Sequence, residues 1–265
     1  MKIFAYGSPD KPQLLLLPGL CSNGSVYFKE VIPLLMEQFQ VVLVCFNGFD
    51  GNEHTCFVSL EEETKVIEGY IEENYGGRLF AAFGSSLGGS VLTLLLQRRR
   101  VSFKHVIISG TDFDHLSKLN AFFLSRMFGP MYYKMAHDGV VPNKIRSQMK
   151  MSHRNDSFTK QLCIMGVNQG GYTYVKKSSV LNQFYSEWTT KLQKNINVPG
   201  TMVHCIHAKK TGDEYLKRYK KHFSNPNICV YNMRHEELLF SFPREWTKEI
   251  EKICGLSVGD ADLES

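Results

Sequence analysis

Residues 78–97 read RLFAAFGSSLGGSVLTLLLQ: an apolar run, a turn of glycines and serines, and a helical pattern. The run RLFAAF is typical of a buried strand, and SVLTLLLQ is typical of a buried helix. Between them, Gly84, Ser86 and Gly88 satisfy the pattern G-x-S-x-G. This pattern can display a nucleophilic serine when it lies between a strand and a helix. The stretch therefore predicts a strand–turn–helix unit with Ser86 at its bend, rather than a plain glycine turn.

Short apolar runs alternate with helical patterns on both sides of this stretch. The predicted strands are QLLLLPG (13–19), VVLVCF (41–46), HVIISG (105–110), GTMVHCIHA (200–208) and NICVYNM (227–233). The predicted helices include SVYFKEVIPLLMEQF (25–39), SLEEETKVIEGYIEENY (59–75), DEYLKRYKKHF (213–223) and REWTKEIEKIC (244–254). Continuous apolar strands that alternate with helices favour a parallel sheet covered on both faces. The predicted fold class is α/β.

The alternation stops between about residues 111 and 199, where the patterns are all helical. This stretch carries six of the ten methionines and many aromatic residues. An apolar helical insertion between two strands predicts a lid over the sheet edge that binds ligands, although some of its residues must form an ordinary core. We expect residues 1–110 and 200–255 to form the core domain, 111–199 a helical cap, and 256–265 a disordered acidic tail.

Composition excludes several classes of protein. Hydrophobic residues make up 43% and charged residues 22%, no apolar run is long enough to span a membrane, and the N-terminus does not resemble a secretory signal. Seven scattered cysteines with no CxxC pair indicate reduced thiols, no zinc site and a cytoplasmic location.

The basic stretches QRRR (97–100) and KRYKKHF (217–223) are interpreted as a helix end and a solvated helix face, so we expect no nucleic-acid partner. Nothing in the sequence indicates a cofactor, a metal or an oligomeric state.

A serine hydroxyl needs a base, and nine histidines are present. His235 follows the last apolar strand directly, in the position expected when the order is serine, acid, histidine. His204 and His207 lie within one predicted strand, three residues apart, so their side chains point to opposite faces. We therefore predict His235 as the base for Ser86.

The loop LLLLPGLCSNG would supply an oxyanion hole. The amides of Leu20 and of Leu87, the residue after the serine, are predicted to converge on the developing negative charge. Cys21 lies next to this loop and is a second conceivable nucleophile, but no histidine lies near it in the sequence.

The pieces LPGLCSNG, FNGFDGNEHTCF, FGSSLGGS, ISGTDFDH and RHEELLF resemble those of α/β-hydrolases, specifically small bacterial esterase-like members, over nearly the whole chain. The resemblance implies the core fold, the lid inserted between two strands, and acyl transfer through a serine. The usual HG pair of the oxyanion loop is Pro18-Gly19 here, which keeps the amide donor. The substrate is not identified by the resemblance.

The acid of the expected triad is where the pattern departs from the family. Relatives place an Asp or Glu a few residues after the penultimate strand, but in HAKKTGDEYLK that position is Thr211. Asp213 and Glu214 follow it, and both also suit a helix start. Asp112, in ISGTDFDH, could instead reach the histidine from a neighbouring strand end. These alternatives, and the absence of any acid, remain open.

The predicted activity is hydrolysis of a carboxylic ester or thioester with an apolar acyl part. The competing hypothesis is a protein that binds a small apolar ligand or a protein partner without turnover, suggested by the imperfect acid loop and the replaced histidine. Lyase or C–C hydrolase chemistry also occurs on this fold.

Overall fold

The computed structural model describes residues 1–51, 54–141, 143, 157–167 and 170–256. In this part of the chain, the strands are β1 Lys2–Tyr6, β2 Gln13–Leu17, β3 Gln40–Cys45, β4 Arg78–Ser85, β5 Ser102–Ser109, β6 Met202–Ala208 and β7 Asn227–Tyr231. They form one sheet in the order β1-β3-β2-β4-β5-β6-β7. β1 is antiparallel to β3, and the other neighbours are parallel. The predicted α/β class and mostly parallel sheet are confirmed.

Helices follow most strands. They are α1 Gly24–Tyr27, α2 Ile32–Leu35, α3 Leu60–Tyr75, α4 Leu87–Arg98, α5 Lys118–Asp138, α6 Ser157–Ile164, α7 Lys177–Thr189, α8 Glu214–His222, α9 Glu237–Ser241 and α10 Pro243–Ile253. Helices α5 to α7 lie between β5 and β6, where the insertion was predicted. The division into core and cap stays a prediction, and the predicted tail, apart from residue 256, lies outside the described residues.

The core lies on both faces of the sheet because side chains alternate along each strand. Leu15 and Leu17 of β2 pack on the face covered by α3, α4 and α8. Leu14 and Leu16 pack on the opposite face, with α1, α2, α9 and α10. All four leucines are fully buried, which explains why the strand reads as an unbroken apolar run.

The carboxyl ends of three central strands lie at the same level. The register pairs Leu17 of β2 with Gly84 of β4, and Ser85 with Ser109 of β5. The loops that follow these strands therefore begin side by side at one edge of the sheet.

One predicted helix is divided. The stretch 25–39 was expected to be continuous, but it forms α1 and α2 with a turn between them. Pro33 lies in the first turn of α2. In a continuous helix its ring would clash with the carbonyl of the preceding turn, and it has no N–H to donate. The predicted cap of α3 is present, since the Ser59 hydroxyl accepts a hydrogen bond from the Glu62 N–H at 3.3 Å.

Candidate active site

Ser86 occupies a strained bend between β4 and α4. Its φ of 49° and ψ of −115° are unfavourable for any residue with a side chain. Backbone hydrogen bonds hold it there: its N–H donates to the Ser109 carbonyl at 2.9 Å, and its own carbonyl accepts from the N–H of Gly89 at 2.9 Å. The Thr111 hydroxyl also donates to that carbonyl, at 3.1 Å. The bend is therefore fixed by both α4 and the end of β5.

The glycines on either side of Ser86 allow this close packing. A Cβ on Gly84 would lie 2.5 Å from the Gly88 carbonyl oxygen, and a Cβ on Gly88 would collide with the Leu17 carbonyl. Neither position has room for a side chain, so the first turn of α4 lies directly against β2 and β4. The neighbouring Ser85 points away from this edge, is fully buried, and its hydroxyl lies 2.6 Å from that of Tyr27.

His235 lies in the loop between β7 and α9, and its ring covers Gly110. Gly110 follows β5 directly and has a φ of 57°. A Cβ at Gly110 would collide with Cε1 and Nδ1 of His235, so the Nδ1 edge of the ring faces this glycine. Within the described chain, no hydrogen bond joins His235 to Ser86.

Ser86 and His235 line one cavity of about 220 Å³. Its other lining residues are Gly19, Leu20, Ser22 and Tyr27 from the sheet side, and Tyr132, Met135, Leu162 and Met165 from the inserted helices and the turn after α6. The inserted segment therefore supplies much of the apolar lining of the cavity. An apolar cavity with a few polar groups at one end is the usual form of a small-molecule site.

Two backbone amides at this edge have no partner. The N–H groups of Leu20 and Leu87 donate no hydrogen bond to another group in the described residues. Leu87 is the first residue of α4, where helix N–H groups are free by geometry and the helix dipole favours a negative charge. Leu20 lines the cavity beside Ser86. These are the two amides that the sequence indicated for an oxyanion hole.

Tyr27 belongs to the site but was not identified from the sequence. Besides its contact with Ser85, its phenol group lies next to Gly19, where an added Cβ would be 3.2 Å from the phenol oxygen. Burial, with a smaller contribution from the charge of Glu236, raises the pKa of Tyr27 well above its ordinary value. A tyrosine on a helical stripe looks like core, so its contact with the serine turn required the tertiary structure.

The carboxylates suggested as triad acids lie elsewhere. Asp112 accepts a hydrogen bond from Arg218 at 3.2 Å. The Asp213 side chain is 77% exposed and lies 4.0 Å from Nε2 of His207. Neither carboxylate hydrogen-bonds to His235 in the described residues.

Glu214 is likewise engaged elsewhere, in an exposed ion pair of 2.6 Å with Lys217. The structure thus brings Ser86 and His235 to one cavity without bringing any of the three predicted acids to the histidine.

A carboxylate that the sequence did not single out lies beside the histidine. Glu236 is only 4% exposed, and its Oε1 has no hydrogen-bond partner. A Cβ on Gly110 would lie 2.9 Å from that oxygen. An acid next to a histidine in a loop normally points to solvent, and only the fold shows that this one is buried.

Cys21 is a poor candidate for a second nucleophile. It is fully buried, and burial, followed by the charge of Glu187, raises the pKa of its thiol far above the ordinary value. In the described parts of the chain, no group of three or more His, Cys, Asp or Glu side chains could hold a metal ion.

The basic stretch at the end of α4 makes structural contacts. Arg98 donates two hydrogen bonds to Glu68 of α3, at 2.7 and 2.9 Å, and Arg100 lies near Glu68 and Glu72. The Arg99 guanidinium donates to the Asn197 carbonyl at 3.0 Å. These arginines join α4 to its neighbours.

Comparisons with known proteins identify the fold family of the chain. The model of the alpha/beta hydrolase fold family matches residues 12–224. A search of curated proteins found no match. No helix in the described part of the chain has both the length and the apolar composition needed to cross a membrane.

Several solved structures share the fold. An alpha/beta hydrolase family protein from Desulfitobacterium hafniense has a TM-score of 0.74 and 17% identity, covering 95% of this chain and 99% of that one. A thermophilic esterase from Thermogutta terrifontis has a TM-score of 0.70 and 14% identity, covering 95% and 91%. The type II thioesterase BorB from the borrelidin biosynthetic cluster has a TM-score of 0.62 and 12% identity, covering 96% of each chain. At these identities the likeness concerns the fold alone.

Proposed function

The chain belongs to the alpha/beta hydrolase fold family, and we propose that it is a serine hydrolase which cleaves a carboxylic ester or thioester with an apolar acyl part. The observation that carries the proposal is the single cavity lined by Ser86, on its strained bend, and by His235. Esterases and a thioesterase among the solved structures of the same fold support the same reaction class.

In the proposed mechanism, the Ser86 Oγ attacks the carbonyl carbon while His235 takes the hydroxyl proton. Nδ1 of the ring faces Gly110, which leaves Nε2 as the nitrogen available to the serine. The tetrahedral oxyanion accepts hydrogen bonds from the amides of Leu20 and Leu87, and each such donor is typically worth 10²–10³-fold in kcat. The alcohol or thiol leaves with the proton from His235, and water, activated by the same ring, then releases the carboxylic acid and restores Ser86.

The substrate class follows from the lining of the cavity. Its cap-side wall consists of Tyr132, Met135, Leu162 and Met165 and offers no charged group. A volume of about 220 Å³ suits a short acyl chain better than a long one. We therefore expect p-nitrophenyl butyrate to be hydrolysed with a higher kcat/KM than the dodecanoate.

Labelling with a fluorophosphonate probe tests the nucleophile. The wild-type protein is expected to form one adduct, mapped by mass spectrometry to Ser86, and Ser86→Ala is expected to lose it together with esterase activity. Ser85→Ala is the matched control, since this adjacent hydroxyl is buried against Tyr27, and it is expected to keep the label. An adduct that persists in Ser86→Ala contradicts the assignment.

One observation favours the competing hypothesis, a protein that binds a small apolar ligand or a protein partner without turnover. No carboxylate in the described residues hydrogen-bonds to His235, and a serine hydrolase without its acid typically loses about four orders of magnitude in kcat. Wild-type protein that neither reacts with the probe nor hydrolyses esters would support this hypothesis. The cytoplasmic location remains a prediction from the sequence.

A further inference from the structure

We propose that Glu236 is the carboxylate that positions His235, in place of the acid that relatives carry after the penultimate strand. The inference rests on the proposed function of Ser86 and His235 and deepens it. It assigns to the residue directly after the histidine a role for which the sequence left Asp213, Asp112, Glu214 or no acid at all as alternatives.

The first support is the burial of Glu236 Oε1 with no hydrogen-bond partner in the described residues. The side chain is 4% exposed, its Oε1 accepts no hydrogen bond, and no ion pair involving it occurs in the described chain. A buried carboxylate is normally paired, because removing a charge from water without compensation is costly. An uncompensated carboxylate therefore points to a cation that is present only for part of a reaction cycle. The imidazolium of His235, formed when it takes the serine proton, is such a cation.

The second support is the position of that oxygen. The same point above Gly110, where a Cβ would lie, is 2.9 Å from Glu236 Oε1 and in collision with Nδ1 of His235. The two atoms therefore lie at most about 5.3 Å apart, and they make no hydrogen bond in the described structure. In the proposed mechanism Nε2 takes the serine proton, so Nδ1 is the ring nitrogen that a positioning carboxylate must engage. Catalytic hydrogen bonds are often long before substrate binds and tighten in the complex.

The third support is the backbone of Glu236. Its φ of 54° and ψ of 12° lie in the left-handed region, which is uncommon for a residue with a long side chain. Adjacent side chains normally diverge, but this conformation lets His235 and Glu236 both reach Gly110. A strained residue that survives at a candidate site is often part of its mechanism.

Arg234 and Glu236 line one small cavity, and two tyrosines also lie near Glu236. Its charge contributes, after burial, to the raised pKa of two tyrosines, Tyr27 and Tyr219, which places both phenols nearby. Tyr27 also contacts the serine turn through Ser85. The carboxylate thus lies within the site, behind the histidine, and not on the surface.

The test compares Glu236→Gln with Glu237→Gln in the full-length protein. The glutamine at 236 removes the charge and keeps the shape. We expect kcat for p-nitrophenyl butyrate to fall about 10³-fold or more with KM nearly unchanged, because the residue acts on the transition state and not on substrate binding. Glu237 is the matched control, since its carboxylate is half-buried and accepts from the Arg234 N–H at 2.7 Å, a bond that glutamine can also accept. Glu237→Gln should keep wild-type activity.

Stability separates a positioning role from a structural one. Neutralising an unpaired buried carboxylate should leave the thermal midpoint unchanged or raise it, whereas loss of a structural contact would lower it. A downfield ¹H resonance from the His235 ring N–H, bonded to a carboxylate, should appear in wild-type protein with a phosphonate adduct and vanish in Glu236→Gln. Full activity in Glu236→Gln, or a loss seen only with Asp112→Asn or Asp213→Asn, overturns the inference.

The outcomes also separate this inference from the proposed function. If wild-type protein reacts with the fluorophosphonate at Ser86 but Glu236→Gln reacts equally fast, the serine hydrolase stands and the role of Glu236 is wrong. If the wild-type protein does not react at all, both fail together.

Discussion

Gly110 is the residue on which the geometry of the candidate site depends most directly. It has a left-handed φ of 57°, and the ring of His235 packs against its Cα, where a side chain would otherwise lie. We predict that Gly110→Ala lowers kcat/KM for p-nitrophenyl butyrate by about 10²-fold or more, because the new methyl group must displace the ring and an ångström of misplacement has that effect. The strain should also cost about 1–3 kcal/mol of unfolding free energy. Enzyme kinetics and urea unfolding of the same preparation measure both.

Gly76→Ala controls for the backbone strain alone. Gly76 has nearly the same φ, 59°, at the C-terminal end of α3, and a Cβ there would meet nothing within 4 Å. It should lose a similar free energy of unfolding and keep its activity. Equal activity in the two alanine variants would show that the ring does not depend on Gly110.

The residues differ in how far the sequence could reveal them. Ser86 and His235 could be selected because a local pattern and a position after the last strand are visible in one dimension. Asp213 was one of the alternatives left open, since the expected position is held by Thr211; it directly precedes α8, and its side chain is exposed. Glu236 is buried at a left-handed bend, next to Gly110. The hydrophobic periodicity of the sequence does not predict such a bend.

At the scale of elements, α7 is held against α4 by a carboxyl group. The Ser90 hydroxyl donates to Glu187 Oε1 at 3.2 Å. Burial, followed by the charge of Asp112, raises the pKa of Glu187 from its ordinary value of 4.5 to about 8. The folded protein therefore binds this proton more tightly than the unfolded chain does. The resulting stability is complete below pH 4.5 and is lost as pH rises through about 8.

Replacing Glu187 with Gln should remove this pH dependence. Between pH 5 and about 8.5, we predict that the unfolding free energy of the wild-type protein falls more than that of Glu187→Gln. The difference should be on the order of 2 kcal/mol, because the side chain is only half-buried and solvent screens its charge. Urea denaturation across that range measures it. Glu73→Gln, at an exposed position on α3, should follow the wild-type curve. Parallel curves for wild type and Glu187→Gln would contradict the prediction.

Element types were more predictable than their ends and interruptions. The central strands β2, β3 and β4 were predictable because each is mostly buried on both faces and contains a continuous apolar run. The helix over 25–39 was predicted from spacing alone, and Pro33 divides it. The antiparallel edge strand β1 was not predicted, because an edge strand is only partly buried and KIFAY lacks a long apolar run.

The whole molecule is held together by apolar packing on both faces of the sheet and without cross-links. All seven cysteines are free. Cys21, Cys45, Cys205 and Cys254 are buried, and burial raises the pKa of each of these thiols, to about 12 for Cys254. Thiolate is the reactive form, so access and ionisation are suppressed together at these four positions.

A thiol titration therefore measures how intact the fold is. With Ellman's reagent at pH 8, at most the three half-buried cysteines of the native protein should react within minutes, and all seven should react in 6 M guanidinium chloride. The three are Cys56, Cys163 and Cys229. The remaining four thiols should react slowly, at the rate at which the helices on one face of the sheet open locally. The reagent reaches these thiols only when that face is uncovered. Four or more fast thiols in the native protein, or fewer than seven after unfolding without a reductant, would contradict the packing described for the sheet and its helices.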